Sequence, residues 1–143
     1  MKIAIASDHA AYNEKKELID YLARKNILVI DLGTKSEDSV DYPVFGQRVA
    51  KSVIKKESDR GIVICGTGIG ISIAANRYKG IRATLCTTIE HAKMARKHND
   101  SNVLALGART TDLEQLKSIV DTWLITEFEG GRHQSRIDLI DQV

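Results

Sequence analysis

The feature that most constrains the fold of this chain is a regular alternation of short apolar runs and longer segments with helical periodicity. The runs are rich in isoleucine and valine and are apolar almost throughout, as expected for strands buried on both faces of a parallel sheet. They predict five strands, at residues 3–6, 28–31, 61–65, 81–86 and 103–106. The segments between them predict helices at about residues 13–25, 43–55, 70–76, 88–98 and 111–127.

This alternation predicts a single α/β domain. The expected architecture is a three-layer sandwich, in which helices cover both faces of a five-stranded parallel sheet in a Rossmann-like, doubly wound arrangement. The 143 residues suffice for one domain with a hydrophobic core, and no repeat or Pro/Ser-rich linker divides them. Gly130 and Gly131 interrupt the last long helical pattern, so we expect a short final helix at about residues 132–141.

The composition argues against several classes of protein. A net charge of +2 is too small to indicate a nucleic-acid-binding protein. No apolar segment is long enough for a signal peptide or a membrane span, so no membrane partner is expected. Two cysteines, Cys65 and Cys86, are too few for a disulfide framework, and we expect a cytoplasmic protein with reduced thiols.

Polar side chains follow three of the predicted strands. These segments are residues 7–9 (SDH) after the first strand, 65–70 (CGTGIG) after the third and 107–109 (GAR) after the fifth. In open parallel sheets, ligands bind beyond the carboxyl ends of the strands. The three segments are therefore the first candidates for a functional site.

The glycine-rich segment 65–70 is not a nucleotide-binding motif. In the dinucleotide fingerprint Gly-x-Gly-x-x-Gly, the third glycine would fall at Ile71 or Ile73, and the phosphate loop of nucleoside triphosphatases needs a Gly-Lys-Ser/Thr ending that this segment lacks. What remains is a series of backbone N–H groups that leads into a helix N-terminus, which suits an anion or a developing oxyanion. A tight turn that merely requires small residues is the alternative.

Cys65 immediately precedes these glycines. A helix N-terminus favours the thiolate form of a cysteine, which is the reactive form. An inert core thiol is the alternative, but the position of Cys65 at the ligand-binding edge favours a chemical role. Cys86 is followed by two threonines and no glycine turn, so we interpret it as structural.

The histidines allow more than one interpretation. Asp8 either orients His9 and raises its basicity or simply caps the next helix, and its position at the ligand edge favours function. His98 ends a predicted helix, where a histidine often only compensates the helix dipole. His91 is interpreted as a surface or capping residue. No Cys-x-x-Cys motif and no histidine pair four residues apart is present, so no metal site is expected.

The arginines of the tail suit a phosphate group. Arg132 and Arg136 are four residues apart, so a short helix would place both guanidinium groups on one face. A solvated basic tail is the alternative, and Arg109 is either a third cation at the site or an ordinary surface charge. Together with a thiolate base and an oxyanion loop, these cations indicate proton abstraction beside the carbonyl of a small phosphorylated substrate.

Seven motifs spread over nearly the whole chain identify a resemblance to a known family. They are SDHAAY at 7–12, DLGT at 31–34, DYP at 41–43, CGTGIGISIAAN at 65–76, GIRA at 80–83, HNDSNVLALGAR at 98–109 and EGGRHQSR at 129–136. With these motifs the chain resembles the ribose-5-phosphate isomerase B family, which also includes galactose-6-phosphate isomerase subunits and allose-6-phosphate isomerases. Any one motif alone would not be specific.

The resemblance implies an aldose–ketose isomerase of the pentose phosphate pathway. It would interconvert D-ribose 5-phosphate and D-ribulose 5-phosphate through a cis-enediolate without a cofactor. In that reaction Cys65 would be the base, Thr67 would add a hydroxyl group at the oxyanion, and His98 would open the sugar ring with Asp8. His9, Arg132 and Arg136 would receive the phosphate. The residues implied to contact substrate are Asp8, His9, Gly66, Thr67, Gly68, Ile69, Gly70, Asn99, Arg109, Arg132 and Arg136.

The resemblance also implies a homodimer, or a tetramer, whose active sites are shared between subunits, with the final helix at the interface. In the galactose 6-phosphate enzyme the functions are divided between two different subunits, whereas Cys65 and His98 occur here in one chain. Two alternatives stay open. One is an isomerase of a hexose phosphate, such as allose 6-phosphate or galactose 6-phosphate; the other is a non-catalytic module that binds a nucleotide or phosphate.

Overall fold

A computed structural model describes all 143 residues and contains the predicted alternation of strands and helices. The strands are β1 (Lys2–Ser7), β2 (Leu28–Asp31), β3 (Arg60–Cys65), β4 (Ala83–Leu85) and β5 (Val103–Gly107). The helices are α1 (Tyr12–Arg24), α2 (Tyr42–Ile54), α3 (Ile69–Asn76), α4 (Ile89–Asn99), α5 (Leu113–Ile125) and α6 (Arg132–Ile140). A short 3₁₀ turn, His9–Ala11, joins β1 to α1. None of the helices combines the length and the apolar character that a membrane crossing requires.

All five strands are parallel, in the spatial order β2-β1-β3-β5-β4. The three central strands are therefore the ones that the polar segments follow. Ser7 of β1 pairs with Ile64 of β3, and Cys65 pairs with Gly107 of β5. The carboxyl ends of these strands thus meet at one place on the edge of the sheet, as predicted.

Helices cover both faces of the sheet, which confirms the predicted three layers. Helices α1, α4 and α5 pack on one face with Ile62 and Ile64 of β3, while α2 and α3 pack on the other face with Val63. Trp123 of α5 is fully buried in the first of these cores. Because both faces are covered, the central strands are apolar nearly throughout.

The two edge strands differ from the prediction. Both β2 and β4 are only partly buried, because an edge strand has a neighbour on one side only. Strand β4 is also shorter than the predicted 81–86. At the start of β4, the side-chain amide of Asn76 donates to the carbonyl of Ala83 and accepts its N–H, both at 2.8 Å. The N–H of Arg82 donates to the side-chain oxygen of Asn102 at 2.8 Å. Side chains thus bond the backbone at the start of β4, where Ala83 still pairs with Val103 of β5. All element ends, including those of β4, lie within two residues of the prediction.

Candidate active site

The three polar segments are joined by backbone hydrogen bonds at the carboxyl edge of the sheet. The N–H of Asp8 donates to the carbonyl of Ile64 at 3.2 Å. On the other side, the N–H groups of Ala108 and Arg109 donate to the carbonyls of Cys65 and Gly66, each at 2.9 Å. The segments after β1, β3 and β5 therefore form one continuous surface.

Cys65 ends β3, and its thiol faces the glycine loop that leads into α3. The residue is 5% exposed, and its Sγ accepts a hydrogen bond from the backbone N–H of Gly68 at 3.1 Å. The Oγ1 of Thr67 accepts from the N–H of Ile69 at 3.2 Å. The N–H of Gly70 lies in the first turn, where a helix offers no acceptor of its own. The loop thus presents backbone donors, and the positive end of the α3 dipole, beside a sulfur atom.

Close contacts surround the glycines of this loop, and at Gly68 they allow no other residue. Gly68 has a φ of +78°, and a Cβ there would lie 2.8 Å from the carbonyl carbon of Leu106, so only glycine fits. A Cβ at Gly66 would lie 3.3 Å from Cδ of Arg109. The side chain of Arg109 therefore covers the loop, which places this predicted residue at the site.

Tyr42 covers the other end of the loop and was not among the predicted site residues. A Cβ at Gly70 would lie 2.6 Å from the Tyr42 ring. Tyr42 is the first residue of α2, and it reaches the loop because α2 packs beside α3. In the sequence, only the DYP motif includes Tyr42, and no residue spacing indicates a role for it at the site.

Asp8 and His9 are held in defined orientations beside the loop. Asp8 is 7% exposed, and its Oδ1 accepts the N–H of Ala10 at 3.0 Å, so it does cap the following turn. Its carboxylate can still serve a ligand, since one hydrogen bond leaves other lone pairs free. The Nδ1 of His9 accepts the N–H of Val40 at 3.1 Å. A neutral His9 therefore carries its proton on Nε2, which is a hydrogen-bond donor.

The remaining predicted residues lie at the opposite edge of the sheet. His98 and Asn99 end α4, which runs against the strands and finishes beside the start of β5 at Val103. Cys65 pairs with Gly107 at the other end of β5. Four steps along a strand separate these ends by about 13 Å. One chain therefore does not bring His98 to Cys65.

Arg132 and Arg136 belong to this second group. Both are exposed on α6, which packs against α4. The imidazole rings of His98 and His133 stack with their centroids 4.4 Å apart and their planes 17° apart. This contact fixes α6 at the amino edge, so the two arginines lie with His98 and not with Cys65.

His133 is a buried histidine that the sequence analysis did not identify. Its Nε2 has no hydrogen-bond partner and lies 3.8 Å from a carboxylate oxygen of Glu129. Burial lowers the pKa of His133, and the nearby His98 and Arg132 lower it further. Nitrogen and oxygen atoms of His98, Glu129 and His133 lie within 4.8 Å of one another. Because the two rings are stacked, one ion cannot lie in both ring planes, so a ring would have to rotate before this cluster held a metal.

The largest cleft of the chain also lies at the amino edge. It has a volume of about 730 Å³, and its lining includes Asn99, Arg77 and Arg82 together with Ile140, Asp141 and Val143 near the C-terminus. Cys65 lines neither of the two cavities of the chain. The half of the candidate site that contains Cys65 is thus an open edge in a single chain.

Cys86 and His91, which the sequence did not assign to the site, lie in neither half of the candidate site. Cys86 is 1% exposed in the hydrophobic core, and burial raises the pKa of its thiol to about 12. It is therefore a protonated, structural thiol, as predicted. His91 is exposed in the first turn of α4, where its N–H donates to the capping Oγ1 of Thr88 at 3.0 Å.

Known proteins are similar to this chain in both sequence and fold. A model of the family described as Ribose/Galactose Isomerase matches residues 3–140. The chain is 48% identical to ribose-5-phosphate isomerase B of Escherichia coli K12, over 99% of this chain and 95% of that protein. Its structure matches that of ribose-5-phosphate isomerase B of Clostridium thermocellum with a TM-score of 0.99 and 56% identity, over 99% and 96% of the two chains. It also matches the enzyme of Mycoplasma genitalium with bound ribulose-5-phosphate, with a TM-score of 0.95 and 43% identity over 99% and 94%. The chain therefore belongs to the ribose/galactose isomerase family.

Proposed function

We propose that this protein is an aldose–ketose isomerase that interconverts D-ribose 5-phosphate and D-ribulose 5-phosphate. The observation that carries the proposal is the position of the Cys65 thiol against the loop 66–70, which combines a base with donors for an oxyanion. The names of the relatives, which match nearly the whole chain, support the same substrate.

In the proposed reaction, the thiolate of Cys65 removes the proton from C2 of the open-chain aldose. The electron pair of that C–H bond forms the C1–C2 double bond, and the carbonyl pair moves onto O1, which gives an enediolate. The loop N–H groups, including that of Gly70, stabilise the oxygen that becomes negative. A proton then passes from O2 to O1, a step that we assign to the Thr67 hydroxyl, and Cys65 returns its proton to C1. Only protons move between groups, so no redox cofactor is needed.

Ring opening and phosphate binding are assigned to the remaining residues. We assign the proton transfers of ring opening to His98 with Asp8. The phosphate is assigned to the Nε2–H of His9 and to the guanidinium groups of Arg132 and Arg136, which are suited to a bidentate contact. Asn99 and Arg109 complete the substrate contacts.

We propose that the active unit is a homodimer, in which the carboxyl edge of one subunit meets the amino edge of the other. Each site would then combine Cys65 of one chain with His98 of its partner. Exposed apolar side chains support such an interface. Ile69 and Ile73 of α3 are 53% and 60% exposed, and Leu139 of α6 is 64% exposed. Pairing of two dimers would give a tetramer, which sedimentation or light scattering distinguishes.

We also place the reaction in the cytoplasm. Both cysteines are free thiols, and a reducing compartment keeps Cys65 in the form that can act as a base. Cell fractionation with an antibody against the protein tests this assignment, since recovery in an oxidising compartment would contradict it.

The proposed function is tested by a panel of kcat/KM values. The panel contains ribose 5-phosphate, allose 6-phosphate, galactose 6-phosphate and unphosphorylated ribose. We expect the highest value for ribose 5-phosphate and little turnover of the free sugar, since the phosphate contacts are then lost. A higher kcat/KM for a hexose phosphate would identify that sugar phosphate as the substrate instead. No turnover of any sugar, with thermal stabilisation by ATP alone, would indicate a nucleotide-binding module instead.

A further inference from the structure

Lys15 of α1 is a charged residue in an unusual environment. Its side chain is only 1% exposed, and its Nζ donates to Oδ1 of Asp31 at 2.6 Å, its one hydrogen bond within the chain. Lysine is rarely buried unless it is paired. Burial also removes the hydration of the Lys15 ammonium group, which offsets its attraction to Asp31, so the pair contributes little net stability. The position of this pair therefore matters more than its strength.

Asp31 connects Lys15 to the end of β1. The same Oδ1 of Asp31 accepts the N–H of Gly33 at 3.0 Å. Gly33 has a φ of +100°, and its carbonyl accepts a hydrogen bond from the N–H of Ser7 at 2.8 Å. In the other direction, the N–H of Thr34 donates to the carbonyl of Ser7 at 2.9 Å. A continuous series of hydrogen bonds thus runs from the buried ammonium group to Ser7.

Ser7 directly precedes Asp8 and His9. The segment 31–41, which contacts Ser7 near its start, also contacts His9. Near its end, the N–H of Val40 donates to Nδ1 of His9 at 3.1 Å. The segment 31–41 therefore holds both the backbone before Asp8 and the ring of His9.

We propose that Lys15 is a positioning residue, which acts through Asp31 to fix the segment 31–41 and so orients His9 toward the phosphate of the sugar. This inference rests on the proposed function, which assigns His9 to the phosphate. Lys15 itself does not touch the substrate. Its loss therefore weakens phosphate binding and leaves the chemistry at Cys65 intact.

The test uses Lys15→Met, which preserves most of the buried side chain and removes the ammonium group. We expect KM for ribose 5-phosphate and Ki for inorganic phosphate to rise about three- to ten-fold, with kcat within about twofold, as misplacement of a binding group predicts. The ¹⁵N signals of the His9 ring should also shift, because loss of the Val40 bond changes the balance of its tautomers. The Asp31 carboxylate is 43% exposed, so water can hydrate it in Lys15→Met, and this variant is expected to fold. Asp31→Ala should change KM alike but lose more stability, because it leaves the buried ammonium group unpaired.

The matched control is Lys25→Met, which removes another ion pair at the end of the same helix. Lys25 contacts Asp121 at 3.2 Å on the surface, and we expect its loss to leave KM and the His9 signals unchanged. The inference is overturned if Lys15→Met folds and has wild-type KM and Ki. If Lys15→Met does not fold, wild-type KM and Ki of Asp31→Ala overturn the inference instead. An equal effect of Lys25→Met, or a rise in KM without a change at His9, overturns it as well.

His9→Ala separates this inference from the proposed function. If His9→Ala raises KM while Lys15→Met and Asp31→Ala do not, the positioning role fails and the phosphate assignment stands. If His9→Ala leaves KM unchanged, the assignment of His9 to the phosphate fails first, and the positioning role fails with it.

Discussion

Cys65 and His98 lie at opposite edges of one parallel sheet, with the length of β5 between them. Cys65 pairs with Gly107 at the carboxyl end of that strand, and His98 ends the helix that precedes Val103 at the other end. The separation is at least about 13 Å along the strand. In the proposed homodimer, one chain therefore contributes to two different sites.

Subunit mixing should restore activity to two impaired variants. In the proposed homodimer, Cys65→Ala and His98→Asn would each damage both sites of a dimer formed by that variant alone. In a mixed dimer, one site carries both changes and the other carries none. Random exchange should therefore recover about a quarter of wild-type kcat, measured with ribose 5-phosphate. Mixing Cys65→Ala with Cys65→Ser is the control and should recover nothing. No recovery after proven exchange would contradict sites shared in this way.

Cys65→Ala should lower kcat far more than it weakens substrate binding. The substitution removes the proposed base but leaves the loop N–H groups in place, so the loss falls on the chemical step. We expect kcat to fall by roughly 10³-fold or more, within the range of general base catalysis. Calorimetric titration with ribose 5-phosphate should give a Kd within a few-fold of wild type. Near-wild-type kcat would exclude Cys65 as the base.

Arg136→Ala should weaken the binding of phosphorylated substrates. The guanidinium is exposed on α6, so its removal should not affect folding, while a lost charged hydrogen bond raises KM by roughly ten-fold or more. Steady-state kinetics with ribose 5-phosphate measure the effect. Arg24→Ala, an exposed arginine at the end of α1, is the control. Equal kinetics of the two variants would remove Arg136 from the phosphate site.

Gly68→Ala should be much more damaging than Gly80→Ala. Both glycines have a positive φ, of +78° and +88°, so both substitutions incur backbone strain of about 1–2 kcal/mol. A Cβ at Gly80 meets nothing within 4 Å, whereas at Gly68 it lies 2.8 Å from the backbone of Leu106. Overpacking should add about 1–3 kcal/mol at Gly68 only, as measured by urea unfolding, and kcat should fall with it. Equal losses would show that the contact relaxes freely.

His133→Asn should flatten the dependence of Tm on pH. Burial lowers the pKa of folded His133 below its ordinary value of 6.5, so the unfolded chain binds the proton more readily. Folding stability is therefore present above about pH 6.5 and decreases as pH falls toward the lower folded pKa. Calorimetry between about pH 7 and pH 5 should show a smaller decrease in Tm for this variant. His91→Asn, at an exposed histidine, should retain the wild-type decrease; identical curves for both variants would contradict the prediction.

Much of the fold could be predicted from the sequence because it depends on local patterns. The apolar runs of the central strands and the glycine loop after Cys65 were located within one or two residues. Errors occur where distant side chains decide the local structure. The start of β4 is one case, since the side chains of Asn76 and Asn102 bond the backbone of Ala83 and Arg82 there.

The candidate site was only partly predictable. The adjacency of Asp8, Cys65 and Arg109 follows from one rule about the carboxyl edge of parallel sheets. Tyr42 and His133 were missed, because each reaches its place through helix packing that no spacing encodes. The role of His98 came from the resemblance to a family, since its spacing alone favoured a helix-capping role.

The sequence by itself determined the layers of this protein, because the period of apolar residues specifies which faces must be buried. It also determined the chemistry available after each strand. Only the tertiary structure decided how these groups are divided in space. It placed Cys65 and His98 at opposite edges, stacked His98 on His133 and buried Lys15 against Asp31. Each of these contacts joins side chains from separate elements, and their geometry depends on how those elements pack, which is not written in any local pattern.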